Sequence, residues 1–414
     1  MTNFLKRAGE RREGREALAR GRQGLRWAAS FLAGATLAGV TVAHAAGTVP
    51  SAIHACVNAK TRALTVPKTG AACPKGTFSL QWSERGPRGA QGPRGARGPA
   101  GASGWPSVFA SPAYDFSSPD GMASDGTHLW IANGTGNSVT EVNVSDGSLI
   151  RNLRGSAYHF NNPEAVLFDG SHIWVAGNLQ PLIEINPSDG SFIRSAGDAG
   201  LAAVPGGLAF DGANIWIANF RSDSVSEFRA SDGSLVNSYS GGSYNFSQPA
   251  GLAFDGSHMW VANTNNDSVT ELNANDGSFV RNLSGGSYRF SRPESIIFAK
   301  VGELPGVGHI WVANYGNSSL TELNGSGALI RNLSGGSYGF SGPNGLAYDG
   351  TDVWVANHVS DSATEVNADS GQWVRTADGG TFGFSEPTQV VIAGSREWVT
   401  NFGLPGSLTE LPPD

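Results

Sequence analysis

The chain has 414 residues, of which 57 are glycine, 11 are tryptophan and only 15% are charged. This profile suits many short strands joined by glycine-rich turns and argues against a helical enzyme. Residues 1–106 carry 16 Lys/Arg and 4 Asp/Glu, which leaves 12 basic and 31 acidic residues in 107–414. The second part is strongly acidic and repels phosphate backbones, so we expect no nucleic-acid partner.

Residues 1–45 have the pattern of an export signal. A basic stretch with Arg20, Arg22 and Arg26 precedes an uncharged apolar run from Trp27 to Val42, and Ala43-His44-Ala45 offers small residues for cleavage. The apolar run is shorter than the roughly 20 residues that span a bilayer. We therefore expect cleavage and no stable membrane span afterwards. An uncleaved anchor is the alternative.

Residues 46–85 contain Cys56 and Cys73, the only cysteines of the chain. In an exported protein, two cysteines most simply form a disulfide, and short strands are predicted around them at Val57–Val66 and Phe78–Trp82. The alternative is a metal site, but two cysteines and His54 fall short of a zinc ligand set. We predict a small disulfide-bridged segment and no metal.

Residues 86–106 repeat glycine at every third position, from Gly86 to Gly104. Only glycine fits the axis of a collagen triple helix, which explains such a register. Two interpretations stay open: a homotrimer formed through this collagen-like Gly-x-y segment, and a monomeric, proline-stiffened stalk.

Residues 107–414 contain seven related repeats. The repeats place an apolar strand, a tight turn such as Asp255-Gly256 and a second apolar strand with a tryptophan in succession; the tryptophans are Trp130, Trp174, Trp216, Trp260, Trp311, Trp354 and Trp398. A spacing of about 44 residues with four strand signals per repeat is typical of propeller blades. We predict an all-β, seven-bladed β-propeller, with an insertion at Lys300–Gly308 in the fifth blade.

The two ends of the repeat array predict how the ring closes. Blade seven has an inner strand near Val390–Ala393 but stops after its third strand, before an outer strand appears. Ser107–Ser111 stands directly before Tyr114-x-Phe116, the type of connection that follows outer strands elsewhere. We predict that Ser107–Ser111 completes blade seven, which removes open sheet edges.

The array resembles the NHL and YVTN propeller families and, more loosely, the streptogramin B lyases. The resemblance rests on inner strands such as Gly251-Leu-Ala-Phe-Asp-Gly256 and on second strands such as Trp398-Val-Thr-Asn401. It implies a secreted surface that binds ligands or proteins, with a few enzymes among the relatives. The Gly-x-y head is similar to that of many bacterial secreted proteins, which implies a location at or beyond the cell surface.

Several residues recur at equivalent positions, and we interpret them as structural. In five blades the glutamate of the third strand is expected to pair with an arginine nine or ten residues later, as in Glu271 and Arg281; in blade three Asn237 stands where the arginine would be. Asparagines such as Asn263 end the second strands. The histidines His128, His172, His258 and His309 occupy similar places in separate blades, so they cannot converge on one metal.

Function is expected where the blades differ, on the loops after the second strands and on the connections between blades. Aromatic and charged residues at these places suit sugars or peptides. The predicted ligand-binding residues are Phe220, Arg289, Arg292, Tyr315, His358 and Phe402.

Three functional classes remain. We favour an exported, non-enzymatic binding or adhesion propeller on a stalk, with an extracellular glycan, peptide or protein as its partner and with no cofactor. The first alternative is a divalent-metal-dependent lyase or lactonase, although no matching set of histidines and glutamates is visible. The second alternative is a structural component of the cell surface.

Overall fold

A computed structural model describes residues 52–58, 60, 64–65, 72–75, 77–83, 107–197, 204–300 and 308–411. The chain divides into two units, one up to Gly98 and one from Pro99 onward. The predicted signal at 1–45 and the Gly-x-y segment at 86–106 lie outside the described residues. The described residues include no helix that could span a bilayer.

The first unit contains a three-stranded antiparallel sheet. Its strands are Ala52–Asn58, Leu64–Thr65 and Thr77–Ser83, and the first strand lies between the other two. Cys56 and Cys73 form the predicted disulfide. The single strand predicted at Val57–Val66 is wrong, because the chain turns at Lys60, whose backbone N–H donates to the side chain of Asn58.

The second unit is a seven-bladed β-propeller, as predicted. Each blade is a four-stranded antiparallel sheet with an inner, second, third and outer strand. The inner strands are Pro119–Ser124, Pro163–Phe168, Pro205–Phe210, Pro249–Phe254, Pro293–Ala299, Pro343–Tyr348 and Pro387–Ala393. The second strands are His128–Asn133, Ile173–Gly177, Asn214–Asn219, His258–Asn263, His309–Asn314, Asp352–Asn357 and Arg396–Asn401.

The third and outer strands complete each blade. The third strands are Ser138–Asn143, Leu182–Ile185, Ser224–Arg229, Ser268–Asn273, Ser319–Asn324, Ser362–Asn367 and Ser407–Leu411. The outer strands of blades one to six are Leu149–Arg154, Phe192–Ala196, Leu235–Ser240, Phe279–Leu283, Leu329–Leu333 and Trp373–Asp378. Among the described residues, two short 3₁₀ helices lie at Pro112–Tyr114 and Tyr315–Asn317.

Blade seven takes its outer strand from the start of the array. Ser107–Phe109 pairs antiparallel with the third strand, and Val108 lies opposite Thr409. The strand is two residues shorter than predicted, because Ser111 caps the 3₁₀ helix that follows and accepts a hydrogen bond from the backbone of Ala113. The ring is therefore closed by hydrogen bonds between residues from both ends of the array.

The hydrophobic core lies between neighbouring blades. Trp260 of blade four is fully buried and packs in one cluster with Ile310 and Val312 of blade five, and the same arrangement recurs around the ring. Aromatic pairs in the inter-blade connections fill the outer part of these gaps; in one of them, the rings of Tyr288 and Phe290 stack 5.3 Å apart. Each blade thus depends on its neighbours for burial.

The turns after the inner strands hold the tryptophans in place. In five blades an aspartate carboxylate accepts the indole Nε1–H; in blade four, Asp255 and Trp260 are 2.8 Å apart. Blades five and seven have Ala299 and Ala393 at this point of the strand pairing. Trp311 of blade five accordingly has no hydrogen-bond acceptor among the described residues.

Candidate ligand-binding site at the axial mouth

The inner strands of all seven blades surround a cavity at one end of the propeller axis. We call this end the upper face; it is where the inner strands begin with proline and the second strands end. The cavity has a volume of about 480 Å³. Its wall combines apolar side chains such as Leu208 and Ile296, glycine backbone such as that of Gly251, and the ring of Phe220. Such a mixed concave surface is typical of a small-ligand site.

The residue after the first proline of each inner strand lines this cavity, and its type varies among the blades. We call these seven residues the axial ring; in order of blade they are Asp120, Glu164, Gly206, Ala250, Glu294, Asn344 and Thr388. Blades one, two and five contribute carboxylates, whereas blades three and four contribute almost no side chain. Asp120 and Glu164 are therefore neighbours, Glu294 lies across the ring from them, and blades three and four leave space between Glu164 and Glu294.

Asp120 is held in the wall between blades one and seven. Its side chain accepts a hydrogen bond from Thr388, and its backbone carbonyl accepts one from Thr400 Oγ1 at 3.0 Å. Burial raises the pKa of Asp120 to about 6, against the opposing effect of the Thr388 hydrogen bond.

Glu164 is the neighbouring carboxylate on blade two. The side-chain amide of Asn162 donates a hydrogen bond to its Oε1. Burial raises the pKa of Glu164 to about 7, and the negative charge of Asp120 adds to this effect. The hydrogen bond from Asn162 and the more distant guanidinium of Arg221 lower the pKa of Glu164. The pKa values of the two adjacent carboxyl groups therefore lie close to neutral pH.

Glu294 is the third carboxylate of the axial ring and has a cationic partner. Its Oε1 lies 3.2 Å from a guanidinium nitrogen of Arg292. Burial raises the pKa of Glu294, and Arg292 opposes the shift. The same guanidinium lies over the ring of Tyr315, with its carbon 4.7 Å from the ring centroid. Arg292 thus links the axial ring to the loops of the upper face.

The structure brings some of the predicted ligand-binding residues together and leaves others apart. Arg292, Tyr315 and His358 form one group, in which the rings of Tyr315 and His358 are 6.1 Å apart. His358 Nδ1 is buried and has no hydrogen-bond partner among the described residues. Phe220 lines the axial cavity itself.

The remaining two predicted residues lie further out. Phe402 is on the loop of blade seven, is 36% exposed and donates its backbone N–H to Glu386. Arg289 is exposed and lies in the connection before blade five, where its backbone has a positive φ of 57°. Its backbone carbonyl accepts a hydrogen bond from the side-chain amide of Asn317. Both residues belong to the upper face but not to the cavity wall.

Sequence reasoning missed Asp120 and Glu164, and the expectation of purely apolar inner strands is incomplete. One signal was available: the residue after the first proline is acidic in three repeats and glycine or alanine in two others. A position that varies so strongly within an otherwise repeated strand indicates a role beyond packing. Only the ring geometry, however, shows that these positions meet.

The repeated polar residues at the opposite end of the blades have structural roles, as expected. Arg281 Nε lies 2.7 Å from Glu271, and equivalent pairs occur in blades one, two, five and six. Blade three lacks the arginine; there Tyr239 donates a hydrogen bond of 2.6 Å to Glu227. Each predicted histidine faces the glutamate of its own blade, as His172 Nδ1 does at 3.1 Å from Glu184.

Blade six carries an aspartate, Asp352, where four blades carry histidine. Within the described residues, Asp349, Asp352 and Glu365 are the one trio of possible metal ligands whose donor atoms all lie within 4.8 Å of one another. Each of the three already has a partner: Trp354 donates to Asp349, Asn367 to Asp352 and Arg375 to Glu365. These contacts give the trio a structural explanation.

No protein-family model matches the sequence, and no curated protein matches it either. Among solved structures, virginiamycin B lyase from Staphylococcus aureus aligns with a TM-score of 0.59 and 13% identity, covering 74% of this chain and 98% of that one. A streptogramin B lyase gives the same TM-score and identity over 75% and 98%. Kuenenia stuttgartiensis hydrazine synthase aligns at 0.59 with 15% identity over 71% and 96%.

Identities this low establish the fold and carry no activity. The chain is a seven-bladed β-propeller whose structural neighbours include streptogramin B lyases.

Proposed function

We propose that this protein is an exported, non-enzymatic binding or adhesion propeller, presented on its Gly-x-y stalk at or beyond the cell surface. It takes an extracellular glycan, peptide or protein at the axial mouth and on the neighbouring loops of the upper face. The observation that carries this proposal is the cavity of about 480 Å³, at which seven otherwise similar blades present seven different residue combinations.

The residue usage of the two faces supports a ligand site on the upper one. Elsewhere, five of the repeated tryptophans donate to an aspartate of their own blade, and five of the repeated glutamates pair with an arginine of their own blade. At the mouth, Phe220 and Tyr315 offer aromatic surface, while Arg292 and Glu294 offer polar groups. A few polar groups on an aromatic and apolar surface suit sugars and peptides.

Export is supported by the signal pattern of residues 1–45 and by the disulfide between Cys56 and Cys73, since disulfides persist in oxidising compartments. Assembly through the Gly-x-y segment stays a proposal. A native mass measurement of the secreted chain distinguishes a trimer from a monomer and also locates the cleavage site.

The proposed function is tested with a screen of the mature full-length protein against cell-envelope glycans and peptides. We expect a ligand whose affinity falls about tenfold, which is about 1.4 kcal/mol, in the Tyr315→Ala/His358→Ala double variant. Leu329→Ala, on an exposed outer strand, serves as the control and should bind normally. Failure to bind any ligand, or equal affinity of the double variant, would favour a passive structural component.

An enzymatic function is the second candidate, because the axial ring holds carboxylates in unlike environments. Asp120 and Glu164 have pKa values of about 6 and about 7, and such pairs can divide acid and base roles. The three axial carboxylates do not form a trio with donor atoms within 4.8 Å of one another, so they do not fit a single three-carboxylate metal site. Lyase and lactonase assays with Asp120→Asn and Glu164→Gln test this candidate; turnover that these variants abolish would establish it.

A further inference from the structure

We propose that the axial mouth recognises a ligand through an organic cation, either a primary ammonium or a guanidinium group, which docks against Asp120 and Glu164. This inference rests on the proposed function and specifies the chemistry of its ligand. It requires a cavity, uncompensated negative charge at its wall, and room for the body of the ligand.

The two carboxylates at the mouth lack the arginine partner that five buried glutamates of the blades have. Glu141, Glu184, Glu271, Glu322 and Glu365 each form an ion pair with an arginine of the same blade. Among the described residues, Asp120 and Glu164 form no ion pair. Arg221 influences Glu164 only from beyond ion-pair distance, and Arg292 is engaged by Glu294 and Tyr315. Two adjacent carboxylates therefore face the cavity without a partner of opposite charge.

The raised pKa values of these two carboxylates agree with this geometry. Burial favours protonation of both carboxylates in the absence of a cation, and the charge of Asp120 adds to this effect at Glu164. A cation bound between them would favour the ionised forms and expel protons. Binding should therefore release protons at pH values between about 6 and 7, where the pair is partly protonated.

The shape of the mouth favours an organic cation over a bare metal ion. The axial carboxylates do not bring three donor atoms within 4.8 Å of one another, as compact coordination would require. An ammonium or guanidinium group makes several hydrogen bonds spread over a wider area. Beside Glu164 along the ring, Gly206 and Ala250 of blades three and four leave room for the attached chain, and Phe220 offers an aromatic surface for its apolar stem or its charge.

The test uses the mature full-length protein and ligand-observed NMR titrations with capped pentapeptides. The probes are glycine pentapeptides with a central lysine, a central arginine or a central Nε-acetyl-lysine, at low salt. We expect the lysine or the arginine peptide to bind at least about tenfold more tightly than the acetylated one. Isothermal titration in buffers of different ionisation enthalpy should show proton release near pH 6.5 for the cationic peptide only.

Two matched variants locate the effect. Glu164→Gln keeps the shape of the side chain and should weaken the cationic peptide about tenfold. Glu386→Gln removes an exposed carboxylate of the same face that does not line the cavity, and it should change affinity less than about twofold. Melting curves of both variants confirm folding, and folded Asp120→Asn provides a second charge-removing variant if Glu164→Gln fails to fold.

Several results would overturn the inference: equal binding of the acetylated peptide, no binding of either cationic peptide, equal effects of the two variants, or Glu164-dependent binding of magnesium or calcium chloride in place of the peptides. If a neutral glycan from the screen binds in a manner that depends on Tyr315 and His358 while both cationic peptides fail, the inference is false and the proposed function stands. If nothing binds in either experiment, both are false.

Discussion

The ring of Phe109 lies 5.7 Å from that of Trp398, measured between centroids, although 289 positions separate them in the sequence (398 against 109). This contact joins the first strand of the array to the second strand of blade seven. It makes the amino end of the array part of its last blade, so the closure of the ring depends on side-chain packing as well as on strand pairing.

Phe109→Ala should therefore destabilise the whole propeller. The half-buried ring packs against Trp398 and Tyr114, and its loss should lower the free energy of unfolding by about 3 kcal/mol. Val108, the neighbouring residue of the same strand, is 41% exposed, so Val108→Ala should cost less than about 1 kcal/mol. Urea unfolding of both variants measures the difference. Equal stability of Phe109→Ala and the parent would contradict the proposed role of this strand.

In five blades an aspartate accepts a hydrogen bond from the indole N–H of the tryptophan, and blade four shows what this contact contributes. Asp255 accepts hydrogen bonds from Trp260 Nε1 and from the backbone N–H groups of Ser257 and His258. Asp255→Ala leaves these donors without their acceptor and should cost about 1–3 kcal/mol. Ser257→Ala preserves the backbone donor and should change the free energy of unfolding by less than about 0.5 kcal/mol. Indistinguishable melting temperatures of the two variants would refute this assignment.

In blade five the missing aspartate can be introduced instead of removed. Ala299 pairs with His309 at the point where other blades place the aspartate, and Trp311 Nε1 is buried without an acceptor among the described residues. Ala299→Asp supplies the missing acceptor and should raise stability by about 1 kcal/mol. Calorimetry of this variant beside Ala299→Ser, whose hydroxyl group is shorter and uncharged, checks the prediction. A lower melting temperature for Ala299→Asp than for Ala299→Ser would contradict it.

The pH dependence of stability follows from the raised pKa values of Asp120, Glu164 and Glu322, which burial moves to about 6, about 7 and about 7. A carboxyl group whose pKa is higher in the folded state than in the unfolded state binds its proton more tightly when folded. Its stabilising contribution is complete below the unfolded pKa, near pH 4, and is lost as the pH rises through the folded value. These groups should make the propeller more stable at pH 5 than at pH 8.

Glu164→Gln isolates one of these contributions. At pH 8 the variant should be more stable than the parent by about 1 kcal/mol, because it no longer buries a charge beside Asp120. At pH 5 the difference should nearly vanish, since Glu164 is then protonated in the folded protein. Free energies of unfolding in urea at both pH values provide the measurement. A difference that is the same at pH 5 and pH 8 would show that Glu164 does not titrate in this range.

The architecture could be predicted from the sequence because each blade repeats the same local pattern. The spacing of Trp260 and its equivalents sets the blade count, and Tyr114-x-Phe116 marks the connection that follows an outer strand. The register of blade five was harder to predict, because the insertion at Lys300–Gly308 replaces the Asp-Gly turn and conceals Ala299. The inner strand of blade seven begins at Pro387, earlier than the predicted Val390, since its first residues already pair with Thr400 and Asn401.

The site was predicted only in part. Variation among the loops identifies Tyr315, His358 and Arg292, which lie together in the structure. Asp120 and Glu164 escaped notice because each is one polar residue in an otherwise ordinary strand. They become neighbours only when blades one and two are placed side by side around the axis. Single repeats reveal the residues that hold a blade together, whereas a site shared by several blades depends on their arrangement.

The most direct test of the account is hydrogen–deuterium exchange on the full-length protein, with and without the ligand recovered from the screen. Binding at the axial mouth should slow exchange at the starts of the inner strands, around Glu164 and Glu294, and in the loop that contains Tyr315. Exchange in the lower hairpins, such as the one around Gly277, should stay unchanged. Protection confined to those hairpins or to the outer strands would place the ligand elsewhere and contradict the account.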